Sequence, residues 1–377
     1  MASIRRKLEK VDRALDRAIE KAEMPGAVVL ARMHREGEWL EHESVRGVAV
    51  TRPERIPMAR ETVFDLASLT KVLATTSAVM LLVEQGLLAL DDPAAKFLPH
   101  FGERGKEGIT LRHLLTHSSG LHPWRGFHET LLERERKKGE SWMGTEAARE
   151  WILESICRSA PVHEAGTAAV YGDLDFIVLG AVIEAAAGQS LDAFCSERIF
   201  GPLGMASTRF IRGRAEGEER PGIAATENCP WRGRIVWGEV HDPNAAAMGG
   251  VAGHAGLFAP ADDVLRFGTA LLDVWHERSD FLPRARLVEF ATRQDLPAGS
   301  DWALGWDTPT PGSSSSGQHF SKQSIGHLGF TGTSLWIDLE AEAVVVMLTN
   351  RIHLVAKKSK FTLRPEIHDL VREAFAA

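Results

Sequence analysis

The chain has 377 residues, of which 44% are hydrophobic and 25% are charged, and its formal net charge is −7. These values are typical of a folded globular protein with one large domain or two subdomains, and they exclude extensive disorder, fibrous structure and coiled coil. Because basic and acidic residues are interspersed, neither nucleic acid nor an anionic membrane is expected as a partner.

The first predicted elements are a helix, two strands and a second helix. Apolar residues at three- and four-residue spacing from Ile4 to Ile19 predict an amphipathic helix that ends near Pro25. Strand-like runs follow at 27–33 and 44–50. The segment 69–88 is apolar almost all round, which predicts a helix that is buried on every side.

The N-terminal segment alternates charges and lacks the apolar core of a signal peptide. No stretch of the sequence holds the roughly 18 apolar residues that a membrane-spanning helix requires. We therefore expect a cytoplasmic location and no membrane span.

Helical patterns dominate from about 91 to 281, and strand signals return only at 333–339 and 343–348, where they predict a hairpin before a closing helix at 365–376. This order predicts an α+β fold, in which an antiparallel sheet is flanked by N- and C-terminal helices and carries a large, mainly helical insertion. The predicted sheet subdomain comprises residues 1–90 and 285–377, and the insertion comprises residues 91–284. The active site is expected in the cleft between them.

Ser68 is the only serine of the chain that is followed by a lysine three residues later. A serine hydroxyl needs a neighbouring base to become a nucleophile, and a helix that begins here would place Lys71 on the same face as Ser68. Burial would lower the pKa of Lys71, as a lysine base requires. The spacing alone is a weak signal, because a capping serine followed by a lysine with a buried stem gives the same pattern.

Several segments in chain order resemble the serine β-lactamase-like superfamily, which includes class C β-lactamases, penicillin-binding peptidases and related esterases. The resemblance extends from about residue 25 onward and implies that Ser68 is the nucleophile of an acyl-enzyme hydrolase, with Lys71 beside it. The segments that carry it are FDLASLTK (64–71), LRHLLTHSSGL (111–121), GPLGM (201–205), GEVHDPNAAAMGGVAGHAGLF (238–258) and GHLGFTGTSLWIDL (326–339).

The second motif of that superfamily is Tyr-x-Asn, and the matching segment here is Tyr171-Gly172-Asp173. Tyr171 is the only tyrosine of the chain, and the resemblance implies that it is the general base and later the acid for the leaving group. A buried aromatic residue with no role in catalysis is the alternative.

Asp173 departs from the motif, since an ionised carboxylate only accepts hydrogen bonds whereas an amide also donates. Near Lys71 it would favour the charged ammonium, shift the role of proton acceptor toward Tyr171, and weaken contact with a substrate amide. An Asp173 that faces outward without such an effect is the alternative.

The third motif, Lys-Thr-Gly, does not occur, and two His-x-Gly segments begin at His254 and His327. We choose His327 because it leads into the predicted hairpin, whereas His254 precedes a helix start. The resemblance then implies that the backbone N–H groups of Ser68 and Phe330 form the oxyanion hole and that Asp173, His327 and Gly329 contact the substrate. With a pKa near 6.5, a histidine here would carry partial charge and bind a substrate carboxylate more weakly than lysine.

Other polar and aromatic residues have no single interpretation. Three histidines suggest zinc by their spacing, but the catalytic glutamate of the H-E-x-x-H motif is missing, so neither a metal nor a cofactor is expected. A loop that lies beside the cleft by resemblance could contact substrate or form a turn, and some tryptophans could line an acyl pocket. The histidines are His113, His117 and His122. The loop residues are His241, Asp242 and Asn244, and the tryptophans are Trp124, Trp231 and Trp306.

The predicted function is transfer of an acyl group to water, with small carboxylic esters or related amides as leading substrates. A β-lactamase or a D-alanyl or other D-amino-acid peptidase is the alternative enzyme. A catalytically silent binding or scaffold protein is the alternative of another class, and the altered Tyr171-Gly172-Asp173 motif is its main support. The oligomeric state has no signal in the sequence.

Overall fold

The computed structural model describes residues 2–214, 217–353 and 361–376, and its largest element is a six-stranded antiparallel sheet. The strand order is β3-β2-β1-β11-β10-β9, so three strands from the N-terminal part of the chain and three from the C-terminal part form one sheet and meet at the β1–β11 pair. The strands are β1 (Gly26–Arg35), β2 (Glu38–Val50), β3 (Ile56–Pro57), β4 (Phe64–Asp65), β5 (Arg209–Phe210), β6 (Asn228–Cys229), β7 (Arg234–Ile235), β8 (Leu257–Ala259), β9 (Ser324–Leu328), β10 (Ser334–Asp338) and β11 (Ala343–Thr349).

Helices cover the sheet and fill most of the chain between its two halves. Short 3₁₀ segments and two π-helical turns, Lys71–Thr76 and Ser196–Phe200, supplement the α-helices. The α-helices are α1 (Ala2–Glu20), α2 (Ser77–Glu84), α3 (Leu111–Leu115), α4 (Phe127–Lys138), α5 (Glu146–Arg158), α6 (Leu174–Ala187), α7 (Leu191–Cys195), α8 (Pro243–Ala247), α9 (Ala261–Trp275), α10 (Arg284–Ala291) and α11 (Leu363–Phe375).

The central strand β1 is apolar on both faces because each face meets a separate layer of helices. Side chains alternate along a strand, so Ala27, Val29 and Ala31 pack in one cluster with α1 and α11. Val28 and Leu30 point the other way, into the larger core that contains α2, α6 and α9. The sheet with terminal helices on one face confirms the predicted α+β fold class.

Helix α9 packs against β1, β10 and β11, on the face opposite α1 and α11. By sequence it lies inside the predicted insertion 91–284, yet it forms the second helical layer of the sheet. The boundaries at 90 and 285 stay a prediction. The predicted hairpin is present as β10 and β11, with Ser334 opposite Met347 and Asp338 opposite Ala343.

A second, three-stranded sheet in the order β4-β8-β5 lies beside the first helix after β4. It joins the segment before Ser68 to residues 257–259, through the pairs Phe64 with Ala259 and Asp65 with Phe258. The expectation of no strands between 91 and 281 was wrong. Strands of two or three residues are too short to leave an alternating pattern in the sequence.

The predicted helix 69–88 begins with the π-helical turn Lys71–Thr76, continues as α2 and ends at Glu84. Such turns are frequent at functional sites because they redirect side chains within a helix. All six residues of this turn are buried, and it packs against α6. Within the described ranges no single helix has the length and apolarity to cross a membrane; one bent pair, 174–187 with 191–200, meets that test by length and composition.

Candidate active site

Ser68 lies in a tight turn between β4 and the π-helical turn. The preceding Ala67 has a φ of 47°, a left-handed conformation that is strained for a residue with a Cβ. The Asp65 carboxylate holds this turn, because its Oδ1 accepts a hydrogen bond of 2.8 Å from Ala67 N while Oδ2 accepts one of 2.7 Å from His241 N. Ser68 itself is half-buried and lines the cleft described below.

The Lys71 ammonium is the centre of the polar cluster. It has no exposed surface, and its Nζ lies 3.1 Å from Ser68 Oγ, 3.0 Å from the Tyr171 hydroxyl and 2.7 Å from Asp173 Oδ1. The backbone oxygen of His254 is a fourth neighbour at 3.4 Å. The geometry therefore brings together the three predicted catalytic residues and places the aspartate in contact with the lysine rather than facing outward.

Burial alone would lower the pKa of Lys71, as the sequence argument expected, but the net shift is in the opposite direction. The charges and hydrogen bonds of Asp173 and Tyr171 outweigh desolvation and raise the pKa of Lys71 above its ordinary value. The prediction of a lysine with a lowered pKa was wrong. The prediction that Asp173 favours the charged ammonium agrees with the geometry.

Tyr171 and Asp173 are positioned by the start of α6. Asp173 N donates a 2.7 Å hydrogen bond to Pro123 O, and a Cβ at Gly172 would lie 2.7 Å from Pro123 Cα, so glycine permits the close approach. The Tyr171 ring is stacked on Trp302, with centroids 5.8 Å apart and an interplanar angle of 13°. This stack fixes the direction of the hydroxyl toward Lys71.

The buried pair of His117 and Asp175 packs against the Tyr171 ring. His117 meets the Tyr171 ring edge-on with centroids 4.8 Å apart, and its Nδ1 lies 3.1 Å from Asp175 Oδ2. Burial lowers the pKa of His117 to about 3 and raises the pKa of Asp175 to about 8, so the pair carries no net charge at neutral pH. Ser119 Oγ also donates to Asp175. This pair adds no charge that would compete with Asp173 for Lys71.

The opposite wall of the cleft is the end of β9 and the turn that follows. Gly329 packs against the Ser68 segment, because a Cβ there would lie 2.5 Å from Leu66 O and 2.0 Å from Thr333 Oγ1. The Thr333 hydroxyl donates to Leu66 O at 3.1 Å. Within residues 2–214, 217–353 and 361–376, the N–H groups of Ser68 and Phe330 donate no hydrogen bond, so both are free to bind an oxyanion.

His327 lies on β9 at the cleft, as the choice between the two His-x-Gly segments expected. Its Nδ1 donates a 2.8 Å hydrogen bond to Leu328 O. Burial, with a contribution from the Lys71 charge, lowers the pKa of His327 to about 3. The expected partial charge at neutral pH is therefore wrong: His327 is a neutral imidazole at the cleft, and its buried Nε2 has no partner among the described residues.

The cleft has a volume of about 560 Å³ and brings together six of the predicted site residues, with Lys71 directly beneath them. Its walls also include Trp124, which is 46% exposed, and Trp302. Trp306 is fully buried against Phe267, and Trp231 lines a different depression, so neither forms an acyl pocket here. The six predicted residues are Ser68, Tyr171, Asp173, His327, Gly329 and Phe330.

The loop at 241–244 lies beside the cleft and leads into α8, while its contact with a substrate stays a prediction. The His241 ring stacks on Phe330 at 5.4 Å, and Asp242 lines the cleft while its Oδ1 caps α8 and lies 2.8 Å from His254 Nε2. Asn244 is fully buried and donates to Arg125 O, so it stabilises the turn.

The three histidines of the zinc alternative do not form a cluster. Thr110 is the N-cap of α3 and forms a capping box with His113, and His117 pairs with Asp175. Among the residues that the structure describes, metal-ligating atoms come together instead at Asp173, Asp242 and His254, which lie within 4.8 Å of one another.

Three residues of the cleft were missed by the sequence argument. Arg364 on α11 lines it and donates to Gly329 O, and burial lowers the pKa of its guanidinium to about 9. Trp302 and Arg364 stand in segments with no motif, so no signal in the sequence could have identified them. His254 was noticed as a His-x-Gly candidate, but its pairing with Asp242 depends on the fold.

Comparison with known proteins places this site in a family. The sequence profile of the Beta-lactamase family matches residues 11–367. The chain belongs to the Beta-lactamase family. A protein of Escherichia coli strain K12, provisionally named D-alanyl-D-alanine carboxypeptidase, is 32% identical to this chain over 320 residues. The aligned region covers 78% of this chain and 70% of that protein.

Two further proteins align over more of the chain. N-acetylmuramyl-L-alanine amidase of Bacillus subtilis strain 168 is 30% identical over 377 residues, covering 92% of this chain and 82% of that protein. The solved structure of EstCE1, a hydrolase with promiscuous acyltransferase activity, superposes with a TM-score of 0.73 at 24% identity and covers 100% of this chain and 99% of that one. The protein is a serine hydrolase of this family, as predicted.

Proposed function

We propose that the protein hydrolyses small carboxylic esters through an acyl-enzyme on Ser68. The observation that carries this proposal is the contact of one buried ammonium, Lys71 Nζ, with the Ser68 hydroxyl and the Tyr171 hydroxyl at 3.1 and 3.0 Å. A nucleophile and a proton-transfer group thus each lie within hydrogen-bond reach of one fixed positive charge. The two free N–H groups of Ser68 and Phe330 complete the requirements of acyl transfer.

Tyr171 is the proton acceptor in this mechanism, because Asp173 keeps Lys71 in its charged form. Ser68 Oγ attacks the carbonyl carbon, and its proton passes to the phenolate oxygen of Tyr171, which the Lys71 ammonium stabilises. The oxyanion receives hydrogen bonds from the two free N–H groups. Tyr171 then returns the proton to the departing alcohol, and a water molecule hydrolyses the acyl-enzyme by the same steps in reverse.

The walls of the cleft favour esters over β-lactams. A β-lactam carries a carboxylate and an acylated amine, and the side chains at the two matching motifs recognise these groups poorly. His327 is neutral, and Asp173 cannot donate a hydrogen bond to an amide carbonyl. Trp124, Trp302 and Phe330 give part of the wall an apolar surface that suits the hydrocarbon part of an acyl or alcohol group.

A peptidase that releases a residue with a free carboxylate is the second candidate. It is supported by Arg364, whose guanidinium lines the same cleft, and by the name of the Escherichia coli relative. Against it stand the burial of Arg364 and the hydrogen bond that already occupies one of its nitrogens. These features leave the ester hydrolase as the better supported function.

Labelling with a fluorophosphonate probe tests the nucleophile. We expect an adduct on Ser68 that is absent in Ser68→Ala and present in Ser155→Ala, since Ser155 lies on α5 with its hydroxyl bonded to Trp151 O. Absence of any Ser68-dependent adduct in the folded protein would support a catalytically silent binding protein or scaffold instead.

Relative rates then order the enzymatic candidates. We expect kcat/KM for a short p-nitrophenyl ester to exceed that for a chromogenic cephalosporin and that for a peptide ending in D-alanyl-D-alanine. Efficient cephalosporin or peptide turnover without ester hydrolysis would reverse this order.

A further inference from the structure

Asp242 lines the cleft, and one oxygen of its carboxylate has no hydrogen-bond partner among the described residues. Both hydrogen-bond donors of this side chain, Ala245 N at 2.7 Å and His254 Nε2 at 2.8 Å, contact Oδ1. No group in the described part of the chain donates to Oδ2, although the side chain is only 19% exposed. Burial alone would raise the pKa of Asp242, but the contacts with His254 outweigh it, lower the pKa and keep the carboxylate charged. The side chain is therefore an oriented acceptor with one free oxygen.

Asp173 presents a second free oxygen at the same wall. Its Oδ1 binds Lys71, and its Oδ2 has no donor among the residues described. Oxygens of Asp173 and Asp242 lie within 4.8 Å of each other, and His254 Nε2 completes the group. Since Lys71 contacts both Ser68 and Asp173, this pair of acceptors is two hydrogen bonds from the Ser68 hydroxyl.

Two carboxylates at this distance match a substrate group that carries several N–H donors and a positive charge. An ammonium has three donors and no acceptor, so it can bond to both carboxylates at once. An acylated amine fits poorly, because it has one N–H and a carbonyl that requires a donor. In an α-amino acyl group the nitrogen is two bonds from the carbonyl carbon, and Asp173 and Asp242 line the same cleft as Ser68.

We propose that the cleft is specific for acyl groups with a free α-ammonium, as in amino-acid esters and amides, and that Asp242 and Asp173 bind this ammonium. The inference rests on the proposed acyl-enzyme chemistry at Ser68 and specifies its substrate class. Asp242 is the specificity-determining residue, because Asp173 is also bonded to Lys71.

A divalent metal ion is the competing occupant of the three side chains. It would place two positive charges beside the Lys71 ammonium, which has no exposed surface from which water could screen the repulsion. A singly charged ammonium at the two free oxygens avoids most of this repulsion and leaves the Lys71 contact intact.

Three benzyl esters that differ only in the substituent on the α-carbon test the inference. They are the esters of alanine, N-acetylalanine and propionic acid, with both enantiomers of the two alanine derivatives. Release of benzyl alcohol gives kcat/KM for each at neutral pH. Loss of one hydrogen bond to a charged group corresponds to a decrease in kcat/KM of roughly tenfold or more. We expect the alanine ester to exceed both the propionate and the N-acetylalanine ester by at least about this factor.

Asp242→Asn is the decisive variant, because asparagine keeps the oxygen that caps α8 and removes the charge. We expect the ratio of alanine to propionate rates to fall by about tenfold. The matched control is Asp262→Asn, which breaks an exposed ion pair with Arg60 and should leave the ratio unchanged. Fluorophosphonate labelling and the thermal midpoint confirm that each variant is folded.

Three results would overturn the inference: equal rates for the alanine and propionate esters, an unchanged ratio in Asp242→Asn, or tight zinc or manganese binding that His254→Asn abolishes. Hydrolysis of propionate without preference for the ammonium refutes the inference alone. Loss of all Ser68-dependent turnover refutes the proposed function, and the inference with it.

Discussion

Replacing Asp173 by asparagine should move the pH dependence of catalysis. The Lys71–Asp173 contact is 2.7 Å long, the lysine side chain has no exposed surface and that of the aspartate is 19% exposed, so solvent and salt screen it weakly. An opposite charge at this range typically shifts a pKa by about 1–3 units, which corresponds to about 1.4–4 kcal/mol at 1.36 kcal/mol per unit.

The direction follows from the sign of the removed charge. Loss of a negative group destabilises the protonated form of the Lys71 and Tyr171 pair, so the pair loses its proton at lower pH. The acidic limb of kcat/KM in Asp173→Asn should therefore shift to lower pH by about 1–3 units. Lys71 would then share the role of proton acceptor with Tyr171.

The assay is hydrolysis of a short p-nitrophenyl ester from about pH 5 to about pH 10 at constant ionic strength. Asp262→Asn serves as the control, because it removes an ion pair of equal length with Arg60 far from Lys71. An acidic limb that coincides with that of the unaltered protein, or that moves to higher pH, refutes the assigned effect of Asp173.

Three other substitutions test separate contacts. Gly329→Ala places a Cβ 2.5 Å from a backbone oxygen and should cost about 1–3 kcal/mol in urea unfolding, whereas Gly108→Ala, with open space around it, should cost almost nothing. Tyr171→Phe should lower kcat for a p-nitrophenyl ester by about 10²–10⁴-fold in a protein that still unfolds cooperatively; retained activity would exclude Tyr171 as the proton acceptor. Burial lowers the pKa of His368 to about 3, so only the unfolded state gains this proton below about pH 6.5, and stability falls by up to about 1.4 kcal/mol per pH unit as pH drops toward about 3. Urea unfolding of His368→Gln should show a slope reduced by about one proton, and the exposed His163→Gln should not.

The elements that the sequence predicts well are those with a long, regular pattern. The strand-like run at 44–50, the continuous apolar run at 343–348 and the three- and four-residue spacing of the first helix each extend over several residues, so each element could be recognised by itself. Ser68 and Lys71 belong to the same class, because one helical turn relates them. Tyr171 could be found for a different reason, namely that it is the only tyrosine of the chain.

Features that depend on contacts between distant segments could not be predicted. Burial of Lys71 predicted a lowered pKa, and only the 2.7 Å distance to a residue 102 positions away shows that Asp173 reverses this effect. Likewise, Trp302 stacks on Tyr171 from a loop that carries no motif. Asp242 contacts His254, twelve residues later in the chain, only because the chain turns between them. The short strand β8 carries no pattern of its own and pairs only because β4 is adjacent.

The charges around Ser68 explain why an aspartate is compatible with catalysis at a position where the family motif has an amide. His327 is neutral, and the His117–Asp175 pair carries no net charge, so Lys71 and Asp173 form the compensated charge pair at the base of the cleft. In the proposed mechanism, the Lys71 ammonium is already in contact with the Tyr171 oxygen and requires no proton transfer of its own. The lysine would then act chiefly as a fixed positive charge, with Tyr171 moving the protons and Asp173 keeping the lysine charged.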